Sequence, residues 1–241
     1  MELFFANIIN GQTASLGAEE TTHCIKVLRN KPGDIITITD GRGSLYNAEI
    51  VSAGKEALLK ITEVLGDPAP RPYYLHMAVS LVKNPDRYEW FIEKAVEIGV
   101  DEITPIYGDL SQKRNFKHER GERIIMSAVK QSLKPLLPVL NPLVSAKELI
   151  KQYSSENEYL KIIGHCREGK KEALPSILKN RAATNAKILI LIGPEGDFSP
   201  EEIQNATDNG FIEMHMGSSR LRTETAALTA TTAVYMNFLR K

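Results

Sequence analysis

Residues Ile188 to Glu202 read ILILIGPEGDFSPEE. Five apolar residues run into a turn of Gly193, Pro194, Glu195 and Gly196, and a helix-start signal follows at once. Lys187 to Ile192 is apolar on both faces, as a central parallel strand must be, whereas a strand with one wet face would alternate. Ligands of open α/β sheets gather at the carboxyl ends of such strands. Glycine lets the backbone approach a ligand closely and adopt positive φ, so the amides and carbonyls of this turn could grip a flat heteroaromatic ring. Ser199-Pro200-Glu201-Glu202 matches a capping box, in which the serine oxygen accepts from the Glu202 amide and the Glu202 carboxylate reaches back to the serine amide. The plainer alternative is a tidy strand-to-helix connection with no ligand at all.

Working outward, the same rhythm holds from Tyr73 onward. Strands are expected at Tyr74 to Leu81, Glu102 to Tyr107, Tyr159 to Gly164 and Phe211 to Met216. A helix is expected from Pro85 to Ile98, with Asn84 as N-cap, Pro85 at the first helical position and Gly99 as the stop. Its apolar residues Phe91, Ile92, Ala95, Val96 and Ile98 share a face. Further helices are expected at Glu119 to Leu133, Ala146 to Tyr153, Lys171 to Arg181, Pro200 to Asn209, and from Thr223 to the end. Alternation of this kind argues for an α/β domain with a mainly parallel sheet covered on both faces.

The N-terminal part is different. Ile36 and Ile38 alternate with Thr37 and Thr39, the turn Asp40-Gly41-Arg42-Gly43 leads to Leu45 to Val51, and a turn at Ala53-Gly54-Lys55 precedes Ala57 to Val64. That is a small antiparallel sheet or barrel. Gly66 to Pro72 then places three of the chain's twelve prolines in seven residues, which continues neither strand nor helix and marks a domain boundary. The domains expected are residues 1–70 and 71–241.

The 241 residues are 42% apolar, enough for a buried core, and thirty Lys and Arg balance thirty Asp and Glu. No global field draws the chain to nucleic acid or an anionic membrane, so any such contact uses a local patch. The two cysteines follow histidines, as His23-Cys24 and His165-Cys166. Adjacent residues chelate a metal awkwardly, so small thiols in a reducing cytoplasm are expected and no metal site is. The start MELFFANIINGQ lacks a basic, long apolar leader, and no apolar run reaches the roughly 18 residues that span a bilayer. A soluble cytoplasmic protein without membrane partners is expected.

A second glycine turn follows the last strand. Gly217-Ser218-Ser219-Arg220-Leu221-Arg222 leads into TETAALTATTA, a helix start rich in small residues that lets another backbone pack close. Two neighbouring strands ending in such turns would make one cleft. G-x-G-x-x-G, G-x-x-x-x-G-K-[ST] and G-x-S-x-G are all missing, so ordinary dinucleotide, Walker-type and serine-hydrolase readings lack their machinery.

The ordered set HCIKVLRNKPGD (His23 to Asp34), KNPDRYEWFIEKAVEIGVDEITPI (Lys83 to Ile106), LIGPEGDFSPEE (Leu191 to Glu202) and MGSSRLRTETAA (Met216 to Ala227) resembles the RsmE family. Members are S-adenosylmethionine-dependent methyltransferases of N3 of a uridine in 16S ribosomal RNA. The resemblance implies a PUA-like β-barrel at residues 1–70 and a SPOUT-type α/β domain at 71–241. It further implies that the C-terminal segment of that domain threads a trefoil knot and that the domain forms a homodimer. S-adenosyl-L-methionine would lie on Leu191, Ile192, Gly193, Pro194, Glu195, Gly196, Met216, Gly217, Leu221, Thr225 and Ala226. Ile163, Gly164 and His165 would form the remaining wall; His165 is otherwise an ordinary polar loop residue. This chain departs from the family's pattern at Asp197, where a second glycine is usual, at Ser219-Arg220, where Arg-Ile is usual, and at Lys134, where the family has arginine.

Uracil N3 is a weakly acidic imide, so methyl transfer to it needs alignment and either a base or anion stabilisation. Arg222, permanently cationic and forked, is the expected stabiliser. Glu224 is the expected proton acceptor, unless it merely complements the dipole of a helix first turn. For the small-subunit RNA, His23, Lys26, Arg29 and Lys31 form one basic cluster. KRNFKHERGER, Lys113 to Arg123, carries five basic residues against two acids, with Phe116 available for stacking. Such a run is also what a solvated helix end looks like. Lys83, Arg87, Lys113, Arg114, Lys134 and Arg220 complete the expected RNA contacts. A related tRNA methyltransferase and a non-catalytic RNA-binding factor are the alternatives.

Overall fold

In the computed structural model, residues 2–67 and 71–239 are described. Pro68 to Pro70, at the centre of the expected boundary, and Arg240 and Lys241, at the end of the last expected helix, lie outside them. The chain divides into two compact units, residues 1–70 with Met126–Leu137, and residues 71–125 with 138–241.

The first unit is a closed barrel. Its strands are β1 (Leu3–Ile8), β2 (Thr13–Leu16), β3 (Ile35–Thr39), β4 (Leu45–Ala53) and β5 (Ala57–Gly66), in the order β1-β2-β5-β4-β3. Every pairing is antiparallel except β1 with β3, which closes the barrel in parallel. Two-residue periodicity fills the interior: Phe4 and Ala6, Ala14 and Leu16, Ile36 and Ile38, Ala48 and Ile50, Ala57 and Leu59 all point inward. Sequence periodicity caught β3 to β5 but not β1 and β2, without which the sheet has open edges. Helix α1 (Ala18–Thr22) passes into a π-turn over His23–Val27.

The second unit holds β6 (Tyr73–Ser80), α2 (Pro85–Ile98), β7 (Glu102–Tyr107), and the start of α3 (His118–Gln131). It continues through β8 (Val139–Leu140), β9 (Val144–Ser145), α4 (Ala146–Gln152) and β10 (Tyr159–Gly164). β11 (Glu172–Ala173), α5 (Leu174–Arg181), β12 (Ala186–Ile192), α6 (Pro200–Asp208), β13 (Ile212–His215) and α7 (Thr223–Phe238) complete it. The sheet order is β11-β13-β10-β12-β6-β7-β8, with β9 also on β7, and every pairing is parallel. The expected start of α5 at Lys171 is corrected. Glu172 and Ala173 pair with Met214 and His215 as a short edge strand, and helix begins only after them.

Local signals place the elements. Asn84 caps α2 by accepting from the Asp86 amide, Pro85 opens it and Gly99 ends it at φ 131°. Tyr88, Phe91, Ile92, Ala95 and Val96 form its buried face. β12 lies mid-sheet between β10 and β6, with Ile188 to Leu191 fully buried. One apolar layer joins Leu189, Leu191, Ile163 and Ile106 to Leu149, Ile150, Phe198 and Ala206 from α4 and the α6 region. On the other face α7 packs with α2, α5 and β6.

Candidate active site at the carboxyl ends of the sheet

Parallel pairing sets the site. Gly164 stands opposite Ile192 on one side and Met214 on the other, so β10, β12 and β13 finish level. A Cβ on Gly164 would come 2.7 Å from Met214 Cε and 3.1 Å from Ile192 Cδ1, so a side chain there would push aside the side-chain ends of both neighbouring strands. The loops leaving these three strands enclose a cleft of about 930 Å³, within the size range of small-molecule and cofactor pockets. Its walls are Gly164 to Arg167 with Lys171, Ile192 to Asp197, and Met214 to Thr223 with Ala226.

The turn after β12 is pinned on every side. The Ser199–Glu202 capping box forms as expected, and Glu202 is almost fully buried. Its Oε2 accepts from the Ser199 amide at 2.8 Å, and its Oε1 accepts from the Asp109 amide at 3.0 Å. Ser199 Oγ donates to Asp109 Oδ2 at 3.0 Å, and Lys147 lies 2.8 Å from the same oxygen. Lys147, with Ser199, holds the Asp109 carboxyl below the usual carboxylate range. At the other edge Glu195 Oε1 accepts from the Lys83 amide at 2.9 Å. A Cβ on Gly196 would meet the Leu110 carbonyl oxygen at 3.0 Å, and one on Gly193 the Phe198 ring at 3.1 Å. A side chain at either glycine would thus press on neighbouring protein, which would have to give by a few tenths of an ångström.

Between β13 and α7 the chain crosses the ends of β10 and β12, because β13 lies beyond β10 whereas α7 packs on β6 and α2. At the end of that crossing Thr223 Oγ1, buried, donates to the Gly193 carbonyl at 2.9 Å and joins the two glycine turns. Arg222, the N-cap of α7, and Arg220 are exposed on the cleft wall. Gly217 takes φ 104°, with open space where a side chain would stand.

Of the expected residues, Gly164, His165, Ile192 to Gly196, Met216, Gly217, Arg220, Leu221, Arg222 and Ala226 line the cleft. Ile163 and Leu191 turn their side chains into the core. Glu224 is buried in the first turn of α7, and Arg87 Nε of α2 lies 3.8 Å from its Oε1. His165 is fixed by Glu213, Oε2 to Nε2 at 2.7 Å; burial outweighs that carboxylate and pulls its pKa below the ordinary value. Sequence reading missed Cys166, Arg167, Lys171, Asp197, Met214 and Thr223 as cleft residues. The loop after β10 offered no motif, and Thr223 resembled any threonine at a helix start.

The expected RNA contacts fall in both units. His23, Lys26 and Arg29 sit in and just after the π-turn of the barrel unit, and Arg29 takes φ 61°. Lys134 also belongs to that unit. Lys83 and Arg87 follow β6, and Lys113 and Arg114 follow β7, at the carboxyl end of the same parallel sheet as the cleft. Arg114 stacks over the Tyr107 ring at 5.1 Å. Phe116 is packed edge-on to Tyr88 at 5.7 Å, with Gly121 beneath it. Among the described residues no cluster of three or more His, Cys, Asp or Glu is placed to hold a metal ion, and no helix is long and apolar enough to cross a membrane.

Residues 69–235 match the family model of an RNA methyltransferase domain, and residues 16–63 that of an RNA methyltransferase PUA domain. The chain belongs to the RsmE family of RNA methyltransferases. One relative, ribosomal RNA small subunit methyltransferase E of Mesomycoplasma hyopneumoniae, is 32% identical over 86% of this chain and 88% of its own. Its Bacillus subtilis counterpart is 26% identical over 97% of this chain and 94% of its own. Among solved structures, a probable rRNA-methyltransferase from Porphyromonas gingivalis superposes with a TM-score of 0.88 at 36% identity, covering 99% of each chain. A ribosomal RNA small subunit methyltransferase E from Neisseria gonorrhoeae, bound to S-adenosyl methionine, superposes at 0.84 with 28% identity over 98% of this chain and 97% of that one. A barrel with an RNA methyltransferase PUA match thus precedes the α/β methyltransferase domain in this chain.

Proposed function

We propose that this protein transfers a methyl group from S-adenosyl-L-methionine to N3 of a uridine in 16S ribosomal RNA of the small subunit. The observation that carries the reading is the cleft at the level ends of β10, β12 and β13, built by the glycine turns of an RsmE-family chain. Its donor set suits the cofactor. Main chain of three turns surrounds the apolar side chains of Ile192, Met214 and Leu221, and Gly217 leaves room for a close approach. The bound cofactor supplies an electrophilic methyl on a sulfonium.

Ile192 to Gly196, Met216, Gly217, Leu221 and Ala226 hold it, with Gly164 and His165 as the far wall and Ile163, Leu191 and Thr225 contributing through their backbone. Arg222 faces the cleft and offsets negative charge on the uracil oxygens as N3 loses its proton. Glu224 has two roles open to it. As proton acceptor it would have to turn from Arg87; as a first-turn acid it complements the helix dipole and holds Arg87 in place, which the 3.8 Å approach favours. Residues 1–70 act as the RNA-binding barrel domain and residues 71–241 as the knotted methyltransferase domain. His23, Lys26, Arg29 and Lys134 of the first, and Lys83, Arg87, Lys113, Arg114 and Arg220 of the second, meet phosphates. The protein works in the cytoplasm as a homodimer through the second domain, a reading supported by exposed Trp90 on α2 and Met236 on the adjoining α7.

Small subunits from a strain lacking the gene, incubated with this protein and labelled cofactor, should gain N3-methyluridine in 16S RNA by mass spectrometry. Labelling of purified tRNA instead would favour the related tRNA enzyme, and no cofactor binding at millimolar concentration a purely RNA-binding role. Arg222→Ala should lower kcat about a hundredfold or more while cofactor affinity stays within a few fold. Glu224→Gln separates the roles: a base variant loses kcat across all pH, a structural one loses mainly RNA affinity.

A further inference from the structure

Asp197 lies in the cleft wall at φ 68°, a left-handed conformation that side-chain-bearing residues rarely adopt and that Asp and Asn tolerate best. Its two carboxylate oxygens diverge. Oδ1 accepts from the amide of Phe198, the next residue, at 2.9 Å, and Oδ2 accepts from the Cys166 amide of the loop after β10 at 3.0 Å. The same two loops are tied a second time in the same sense, since Arg167 Nε of the loop after β10 donates to the Phe198 carbonyl at 2.8 Å. On its far side the loop is fastened internally by Lys171, which donates to the His165 carbonyl at 2.9 Å, and to β13 by the His165–Glu213 contact. Four of its residues, His165, Cys166, Arg167 and Lys171, line the cleft.

We propose that Asp197 is a positioning residue, which clamps the loop after β10 to the turn after β12 so that this wall of the cleft stands formed before a ligand enters. The proposal rests on the reading of the cleft as the cofactor site. Glycine at this position would take the same backbone angle freely but would leave the Cys166 and Phe198 amides without these acceptors. The carboxylate makes two charge-assisted hydrogen bonds at the cost of an uncommon φ, and preorganisation of a loop shows up as affinity.

Asp197→Gly and Asp197→Asn test it in the full-length protein. Cofactor affinity is read by calorimetry and by the KM-against-kcat split. Loop position is read by the rate at which N-ethylmaleimide alkylates exposed Cys166, with peptide mass spectrometry separating it from buried Cys24. Asp197→Gly keeps the backbone angle and should raise the cofactor Kd and KM about tenfold, with kcat within twofold at saturation, while the ligand-free protein is alkylated severalfold faster. Asp197→Asn, which retains one acceptor oxygen, should fall between it and wild type. If Asp197→Gly leaves either the cofactor Kd or the Cys166 rate at the wild-type value, the clamp is overturned while the cofactor reading stands. If wild type itself binds no cofactor, the cofactor reading fails, and the Cys166 rates alone decide whether Asp197 holds the loop.

Discussion

Thr223→Val removes one hydroxyl from the junction of the two glycine turns and changes little else, because valine keeps the branched shape. Thr223 is 5% exposed, and its Oγ1 donates to the Gly193 carbonyl at 2.9 Å. The variant forfeits a neutral hydrogen bond and strands a buried carbonyl, for a combined loss of about 2 kcal/mol. In a protein of this size that corresponds to a fall in Tm of roughly 4–8 °C. Thr223→Ser keeps the hydroxyl and loses only a methyl, about 1 kcal/mol. Differential scanning calorimetry and cofactor titration on both variants check the reasoning. Valine should destabilise more than serine and should also weaken cofactor binding several fold, since the crossing segment is no longer tied to the turn after β12. A valine variant equal to the serine variant in both Tm and affinity would show that the junction does not depend on this bond.

The second capping box gives a comparison within the molecule. Glu202→Ala strips acceptors from the Ser199 and Asp109 amides in a buried place and should cost about 2–4 kcal/mol in urea unfolding. Glu148→Ala, in the exposed box with Ser145, should cost much less. Gly196→Ala should weaken cofactor binding, because its Cβ would press on the Leu110 backbone at 3.0 Å and push the loop after β7 outward; unchanged affinity would show that this loop yields freely. Acid should destabilise the second unit through His76, whose pKa burial pulls down to about 4 despite Glu102 nearby. Above the ordinary imidazole pKa both folded and unfolded His76 are neutral; as pH falls below it the unfolded chain takes the proton first, so stability drops. By pH 4.5 the loss is roughly 2–3 kcal/mol, and urea midpoints for His76→Gln should show a correspondingly flatter pH dependence than wild type.

What was legible in the sequence is what local physics decides. β12, the cap and stop of α2 and the Ser199–Glu202 box are each written in consecutive residues, and each formed as read. Strands β1 and β2 were not read, because they are defined by distant partners: Leu3 to Phe5 pair with Thr37 to Thr39, and Thr13 to Leu16 pair with Ala57 to Lys60. β11 is only Glu172 and Ala173, too short for periodicity, and exists because β13 offers an edge. Met126 lies midway along α3 with no break in composition before it, yet Met126 to Leu137 belongs to the barrel unit, where the Pro135 carbonyl accepts a hydrogen bond from Thr39. The cleft's glycine turns were visible, and the resemblance gave Gly164 and His165 of its third wall, but not Cys166, Arg167 or Lys171 beyond them. That wall depends on Asp197 reaching Cys166 across 31 positions, a contact no spacing rule announces.

The charges around the cleft follow one arrangement. Glu202 and Glu224 occupy first turns of α6 and α7, where the helix dipole favours an acid, and both are buried. Neither is spent on the floor of the cleft: Glu202 turns back to the loop after β7, and Glu224 faces Arg87 of α2. Asp109 pairs with Lys147 and Ser199, Glu195 with the Lys83 amide and Asp197 with the Cys166 amide, so each is taken up by a neighbouring segment. These fixed charges therefore brace the walls, and the cavity is lined by main chain, by apolar side chains such as Ile192 and Leu221, and by the exposed cations Arg220 and Arg222. A cationic cofactor held by backbone atoms benefits from such a frame, because the positioning carboxylates are already hydrogen-bonded and need not move when it binds. Arg222 is not one of these braces but an exposed cation on the cleft wall, and that is the structural reason to assign it to the charge that develops on the substrate.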